Sequence, residues 1–312
     1  MNLNINKNPV QVTKTATLTG HRDAVYTLEK SGDQERFFSA GADGLVVAWN
    51  LNDPENGELI AQVSGSVYAL CFIPGKNQLL IGQNLKGIHV IDLAKKESVG
   101  FIALPPMAIF SLLLKPGSET DVFAALGDGT ICRLDLENLK VTQVVKASDK
   151  SARCLAFNEA TNQLAAGFSD HFIRIFNGDN LTLTHKLDGH TNSVFAVAFT
   201  PDNKQLITAG RDAHLRIWTV ENDYPETGSI IAHMFTINHL TFSPDGKYFA
   251  TCSMDKSVKV WNTANFKLLK VIDKARHAGH GTSVNKLFWT AHDNQLVSCS
   301  DDRTISVWDI KF

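Results

Sequence analysis

Short runs of apolar or alternating residues, separated by turn-forming residues, recur along almost the whole chain. The stretch from Leu181 to Val220 shows the unit most clearly, because four short runs in it are each bounded by Gly, Pro, Asn or Asp. Such runs predict four short β-strands joined by tight turns. A unit of about forty residues with four small strands cannot bury its own faces, so copies of it have to pack on one another.

The unit recurs at a nearly constant spacing. Each copy can be placed by the last large apolar residue of its fourth strand, and these residues are Trp49, Ile91, Leu134, Phe176, Trp218, Trp261 and Trp308. Seven copies of about 43 residues fill the chain. Only Met1–Pro9 stays outside, so we expect a short polar tail at residues 1–9 and a single repeat domain at residues 10–312.

The first, fifth, sixth and seventh copies match one another best. They contain GHRDAV…FFSAGADGLVVAWN, GHTNSV…LITAGRDAHLRIWT, AHMFTI…FATCSMDKSVKVWN and GHGTSV…LVSCSDDRTISVWD. The period, the Gly-His pair and the closing Trp-Asp at Trp308 resemble the WD40 repeat family. The resemblance covers residues 10–312. It implies an all-β fold, a seven-bladed β-propeller with four-stranded antiparallel blades.

The alternating segment Val10–Leu18 directly precedes the first Gly-His pair. In the repeat this position belongs to a strand that completes the preceding copy. The first copy has no predecessor, while the last copy ends at Phe312, just after its Trp-Asp pair. We therefore predict that Val10–Leu18 pairs with the last blade and closes the ring, since an open ring would leave two exposed sheet edges.

Copies two to four have lost parts of the signature and form a degenerate arc (residues 59–177). Ser64 replaces the histidine in the second copy, Pro105-Pro106 interrupts the start of the third, and the fourth lacks the Gly-His pair. The interval before the last copy is long because DKARHAGH adds residues ahead of His280. This insertion is predicted to lie in a loop on the histidine side.

Each regular copy holds a histidine, a hydroxyl residue, an aspartate and a tryptophan. These sets are His21, Ser39, Asp43 and Trp49; His190, Thr208, Asp212 and Trp218; His233, Thr251, Asp255 and Trp261; and His280, Ser298, Asp302 and Trp308. Hydroxyl, imidazole and carboxylate are also the parts of a nucleophilic triad. A chain from Trp to Ser or Thr, to His, to Asp would satisfy every donor and acceptor, however. Because the set occurs four times with a tryptophan that nucleophilic chemistry does not need, we predict structural tetrads and no catalytic residue.

The residue after the leading apolar position of each first strand is predicted to face the rim of the central channel. These residues are Tyr26, Tyr68, Phe110, Arg153, Phe195, Asn238 and Asn285, and the positions before the turn aspartate add Arg211, Met254 and Asp301. Aromatic and arginine side chains are the composition of interface hot spots. The alternative is that strand starts tolerate aromatic residues as good β-formers. The hypothesis favours a partner face on the degenerate arc, with Tyr26 and Phe195 on either side.

A second candidate is the long loop before the last copy, where Lys274 and Arg276 could bind an acidic peptide or a phosphate. His277 and His280 have a spacing that could hold a metal, but no Cys or carboxylate cluster accompanies them, and His280 belongs to a tetrad. The glycines near turn aspartates serve tight turns and form no phosphate-binding loop. We expect no metal and no cofactor.

Composition narrows the function. A net charge of -2 and a pI near 6.6 give no basic surface for nucleic acid or an anionic membrane. No apolar run is long enough to span a bilayer, and the N-terminus lacks the apolar segment of a secretion signal. The five scattered cysteines are typical of reduced, buried strand positions. A cytoplasmic location is therefore expected.

The family resemblance implies a non-enzymatic scaffold or adaptor that presents a rigid face to peptides or protein domains, as a monomeric ring within a larger complex. One alternative is an enzyme or small-ligand propeller with its site at the channel mouth. Against this alternative, the histidines outside the tetrads fall in different parts of different copies. A second alternative is a repeat-bearing piece of a larger protein, which we expect less because ring closure is already supplied within the chain.

Overall fold

The computed structural model of the protein describes residues 10–312; the predicted tail at residues 1–9 lies outside the described residues. Seven four-stranded antiparallel sheets form the blades. Blades 1 to 4 contain β2 (Val25–Lys30), β3 (Arg36–Gly41), β4 (Leu45–Asn50), β5 (Asp53–Gln62); β6 (Val67–Ile73), β7 (Gln78–Gln83), β8 (Gly87–Asp92), β9 (Glu97–Ala103); β10 (Ile109–Leu114), β11 (Asp121–Leu126), β12 (Thr130–Asp135), β13 (Lys140–Lys146); and β14 (Ala152–Asn158), β15 (Gln163–Phe168), β16 (Ile173–Asn177), β17 (Leu183–Leu187).

Blades 5 to 7 complete the ring. They contain β18 (Val194–Phe199), β19 (Gln205–Gly210), β20 (His214–Thr219), β21 (Glu226–Ile231); β22 (Ile237–Phe242), β23 (Tyr248–Ser253), β24 (Val258–Asn262), β25 (Leu268–Ile272); and β26 (Val284–Trp289), β27 (Gln295–Ser300), β28 (Ile305–Lys311), β1 (Gln11–Leu18). The first strand of each blade contacts that of the next, and β2 also contacts β26, so the seven sheets form a closed circle. The predicted seven-bladed propeller is confirmed.

Helices are short in the described region. One α-helical turn, α1 (Lys274–His277), occupies the predicted long loop, and two 3-10 turns lie at Pro74–Lys76 and His292–Asn294. The side chain of Asp273 caps α1 by accepting a hydrogen bond from the backbone N–H of Arg276. None of these helices has the length and apolar character needed to cross a membrane.

The ring is closed by the N-terminal strand, as the sequence predicts. β1 pairs antiparallel with β28, and the order of this last sheet is β1-β28-β27-β26. Leu18 lies opposite Ile305 and Val12 opposite Ile310, with a register shift between Lys14 and Ala16. β1 begins one residue later than predicted. Because the first and last parts of the chain share one sheet, the described ring has no break between blades 7 and 1.

Apolar side chains fill the spaces between the blades. In one cluster Phe38 and Val46 of blade 1 pack against Leu70 and Leu79 of blade 2, and equivalent clusters repeat around the ring. The second strand of each blade is buried almost throughout because both of its faces contact a neighbouring sheet. The outermost strands alternate between exposed and partly buried residues, as in β13. The blades thus stabilise one another.

The contribution of ring closure can be tested at Leu18, which is 1% exposed and packs with Ile305 and Val307. We expect Leu18→Ala to lower the free energy of unfolding by about 2–4 kcal/mol, because it removes buried methyl groups and leaves a cavity. The exposed Thr17 on the same strand supplies the control, and Thr17→Ala should change it by about 0.5 kcal/mol at most. Urea unfolding measures both. Equal effects of the two changes would contradict the closure role.

Candidate functional site

Four hydrogen-bonded tetrads occur in blades 1, 5, 6 and 7. The tryptophan Nε1 lies 2.7–2.9 Å from the hydroxyl oxygen, the hydroxyl oxygen lies 2.7–2.9 Å from the histidine Nε2, and the histidine Nδ1 lies 2.8–3.0 Å from the nearer aspartate oxygen. The indole N–H can only donate and the ionised carboxylate can only accept. The hydroxyl therefore accepts from the indole and donates to Nε2, and the Nδ1–H donates to the aspartate.

The tetrad hydroxyls are not accessible to a substrate. Ser39, Thr208, Thr251 and Ser298 are all 0% exposed, and each hydroxyl already has a donor and an acceptor. A nucleophile has to reach a substrate carbonyl, which these buried oxygens cannot do. A buried network with every polar group satisfied instead makes the blade rigid. The geometry therefore favours a structural role for the tetrads over a catalytic one.

The degenerate arc replaces the hydroxyl and the tryptophan of the tetrad together. At the hydroxyl and tryptophan positions, blades 2, 3 and 4 carry the apolar pairs Ile81 and Ile91, Ala124 and Leu134, and Ala166 and Phe176. Loss of only one member would leave a buried donor or acceptor without a partner, which costs more than losing both. This joint replacement is why the arc keeps the fold without the signature.

Two blades of the arc have polar networks of their own, which the sequence analysis missed. In blade 2 the amide nitrogen of the buried Gln83 donates to Ser64. The Nε2 of His89 lies 2.7 Å from the side-chain oxygen of Gln83. In blade 4 the guanidinium of Arg174 makes two hydrogen bonds to Asp170, which also accepts from Ser148. A buried glutamine and arginine inside otherwise apolar strands were the available signals in the sequence.

All seven predicted rim residues line the central channel, a cavity of about 640 Å³. Five of them form a continuous row that we name the rim patch: Tyr26, Tyr68, Phe110, Arg153 and Phe195. The ring centroids of Tyr26 and Tyr68 are 4.8 Å apart, and those of Tyr68 and Phe110 are 5.5 Å apart. The Arg153 guanidinium lies 4.1 Å from the ring centroid of Phe110 and 5.2 Å from that of Phe195. These contacts pre-order the patch.

Arg153 is held in place without a carboxylate partner in the described part of the chain. Its Nε donates to the Ser169 hydroxyl over 2.8 Å, and its guanidinium contacts the two phenyl rings on either side. Burial lowers the pKa of Arg153, and the positive charge of Arg211 adds to this effect. A guanidinium so placed can pair with an anionic group that enters the channel mouth.

The other two rim residues have their amides engaged between blades. Asn238 donates to the Ser283 hydroxyl and the Val284 carbonyl, and Asn285 donates to the Val25 carbonyl and to Asp301. Both asparagines line the channel beside the rim patch, but these hydrogen bonds join neighbouring blades. Their contact with a partner stays a prediction.

The loop candidate lies apart from the channel lining. Lys274 and Arg276 are on α1, and the Arg276 guanidinium pairs with Asp273 in the same turn. Between residues 10 and 312 no group of three or more His, Cys, Asp or Glu side chains is placed to hold a metal ion. The five cysteines are free thiols on strands, four of them buried. Partner binding by Lys274 and Arg276 stays untested.

An exposed apolar cluster beside the channel was largely missed from the sequence. Met234 is 80% exposed, Phe235 60% and Met254 52%, and together with Arg211 they line a second cavity. Met234 and Phe235 directly follow the tetrad histidine of blade 6, where the other regular copies have Arg22, Thr191 and Gly281. An apolar pair at this loop position was the signal that could have found the cluster.

The family described as WD40 (WD domain, G-beta repeat) matches residues 12–50, 139–177, 181–219, 225–262 and 271–309, more than half of the chain. The chain belongs to the WD40 family. The matched segments include blade 4 of the degenerate arc, while blades 2 and 3 of this WD40 protein are left unmatched. The WD40 propeller domain of Doa1 has the same fold, with a TM-score of 0.83 at 18% sequence identity, covering 96% of this chain and 97% of that one.

Curated relatives are longer than this chain. Ribosome biogenesis protein YTM1 of Pyricularia oryzae is 24% identical over 70% of this chain and 44% of its own length. WD repeat-containing protein 3 of Mus musculus is 28% identical over 57% of this chain and 20% of its own length. WD repeat-containing protein 1 of Xenopus tropicalis is 27% identical over 69% of this chain and 36% of its own length. The chain thus matches less than half the length of these relatives, none of which is named as an enzyme.

The tetrad of blade 5 can be tested with a double-mutant cycle. We expect Trp218→Phe and Thr208→Val each to lower the free energy of unfolding by about 1–3 kcal/mol, because each leaves a buried polar group without its partner. The double variant should cost less than the two single changes together by at least about 0.5 kcal/mol. Urea unfolding gives the values, with the exposed Thr13→Val as a control. Small, additive effects would show that the network is not stabilising.

The tetrads also predict a dependence of stability on pH. Burial by itself raises the pKa of the Asp212 carboxyl, but hydrogen bonds from His190 and from the backbone N–H groups of Thr191 and His214 outweigh burial and lower this pKa to about 2. Since the pKa of an unfolded Asp is about 3.9, this stabilisation is complete above that pH and is lost as the pH falls toward 2.

We therefore expect the urea midpoint of the wild type to fall between pH 5 and pH 3. The urea midpoint of Asp212→Asn should be lower than that of the wild type at pH 7. It should also decrease less than the wild-type midpoint as the pH is lowered to 3. Asp223→Asn, at a carboxylate that is 92% exposed, is the control and should follow the wild type. A wild-type curve and an Asp212→Asn curve that run parallel would contradict the assignment.

Proposed function

We propose that this WD40 protein is a non-enzymatic interaction scaffold that binds peptides or protein domains through the rim patch. The observation that carries the proposal is the continuous row of four aromatic rings and one arginine at the channel mouth. Large aromatic side chains and arginine dominate the binding energy of protein interfaces. The alternative, that these residues merely fill strand starts, gives no reason for Arg153 to lie between two phenyl rings without a carboxylate.

The rigidity of the ring supports this function. The rim patch is built on the first strands of blades 1 to 5, and each of these strands is hydrogen-bonded within its own sheet and packed on its neighbours. A preformed patch loses little conformational entropy when a partner binds, so more of the contact energy appears as affinity. An interaction surface on a fixed scaffold is also where loop and rim residues of such folds carry function.

The class of partner follows from charge and family. A net charge of -2 offers no general attraction for nucleic acid or an anionic membrane, so protein or peptide partners are favoured. Membership of the WD40 family supports a place within a larger assembly, with the ring itself as a monomer. The free thiols fit a reducing compartment, and we propose a cytoplasmic location on that ground.

The proposal predicts that the double variant Tyr68→Ala, Phe110→Ala loses its native partner. We expect its capture from extracts of the source cells to fall at least about 10-fold, because two adjacent hot-spot rings are removed. The control is Phe101→Ala, which removes a ring that is 42% exposed on the outer strand β9. Quantitative mass spectrometry of the captured proteins compares the three forms at equal loading.

Thermal unfolding of all three proteins shows whether a loss of capture follows from a loss of fold. A photo-crosslinking amino acid placed at position 68 should label the partner, while the same group at position 101 should not. Equal capture by the wild type and by the double variant, with both proteins folded, would refute the rim patch as the binding surface.

A further inference from the structure

The exposed apolar cluster on blades 5 and 6 continues the rim patch outward. Met234 and Phe235 lie in the loop before β22, and Met254 lies in the turn after β23. Together with Arg211, from the turn after β19, they line a cavity of about 310 Å³. Three large apolar side chains, each more than half exposed, are costly on a protein surface unless something covers them. This cavity is large enough to receive an apolar side chain.

Arg211 joins the cluster to the channel mouth. Its backbone N–H donates to the Ser193 carbonyl, two residues before Phe195 of the rim patch. Its guanidinium is exposed and makes no ion pair within residues 10–312. Its positive charge adds to the effect of burial and lowers the pKa of Arg153, as repulsion between two cations does. An anion at this place would relieve that repulsion.

The acidic side chain that follows Arg211 in sequence is already engaged, as is the one that follows Met254. Asp212, its neighbour in sequence, accepts from His190 and from the Thr191 backbone, and Asp255 accepts from His233 and from the Met234 backbone. Both carboxylates are therefore hydrogen-bonded within the tetrads, inside the blades. What remains at the surface is a cation beside apolar side chains, a combination that complements a carboxylate beside an apolar side chain.

We propose that this strip binds a partner peptide in which an acidic residue is followed by a large apolar one. The carboxylate pairs with Arg211 on the side of Arg153, and the apolar side chain enters the cavity between Met234, Phe235 and Met254. This inference rests on the proposed function, since it names the chemistry of the partner that the scaffold binds. It extends the binding surface from the degenerate arc onto the regular blades 5 and 6.

The test uses four immobilised libraries of N-acetylated, C-amidated heptapeptides, randomised except at two central positions. These positions hold an acidic-apolar pair (Asp or Glu, then Leu or Phe), an amide-apolar pair (Asn or Gln, then Leu or Phe), a basic-apolar pair, or an acidic residue followed by Ser. Biolayer interferometry measures binding of the full chain. We expect the acidic-apolar library to bind at least about 10-fold more tightly than the other three, the factor of a charge-assisted hydrogen bond.

Three variants locate the binding. Arg211→Gln should abolish the preference for the acidic over the amide library, and Phe235→Ser should abolish the preference for Leu or Phe over Ser. The matched control is Arg22→Gln, which removes an exposed arginine after the tetrad histidine of blade 1 and should leave both preferences unchanged. Thermal unfolding verifies that each variant is folded. Raising NaCl from about 50 to about 500 mM should weaken the acidic-apolar library most.

Two outcomes would overturn the inference while leaving the scaffold proposal intact. One is peptide binding that is lost in Phe195→Ala but shows no preference for acidic residues. The other is a concentration-dependent dimer, detected by sedimentation equilibrium and abolished by Phe235→Ser, since the cluster would then be covered by a second copy of this chain. Besides these two outcomes, absence of binding by every library at about 1 mM would overturn the inference. The capture experiment with Tyr68 and Phe110 separately decides the scaffold proposal.

Discussion

A four-stranded sheet of six-residue strands with apolar side chains on both faces is stable only between two neighbours, and this constraint governs the whole molecule. A row of such sheets would always leave two faces exposed, whereas a circle covers every face and leaves only the short edges of the blades. The pairing of β1 with β28 places both ends of the described chain in one sheet. The rim patch and the exposed apolar cluster depend on this closure, because it fixes the first strands of the blades around a common channel.

The tetrads solve a second problem, which is how to keep polar groups inside tightly packed blades. Each tetrad hydroxyl in blades 1, 5, 6 and 7 has one donor and one acceptor, and blades 2 to 4 remove hydroxyl and tryptophan together. The tetrads and their apolar replacements have the same result, because neither leaves an unpaired hydroxyl or indole N–H at these buried positions. The regular and degenerate parts of the ring therefore share one fold, although only blades 1 and 4 to 7 match the family.

This internal use of carboxylates also shapes the surface. Asp212 and Asp255 are hydrogen-bonded within their tetrads, and Arg211 and Arg153 have no acidic partner among the described residues. Arg153 belongs to the rim patch, and Arg211 lies beside the cluster of Met234, Phe235 and Met254. A single strip thus combines aromatic, cationic and apolar side chains, and its charge pattern is a by-product of the same networks that stabilise the blades.

The sequence by itself determined the number of blades, the closing strand, the tetrads and the side chains that line the channel mouth, since all of these follow from a short, regular repeat in which local pattern dictates position. It did not identify the networks of Gln83 and Arg174, because these use residue types that differ from the repeat signature, although their partners lie in the same copies. Nor could it show that the asparagines at the rim join neighbouring blades, or that Arg211 lies beside Met234. The contacts between blades exist only once the ring has brought separate copies together, and no repeat pattern encodes distances between copies.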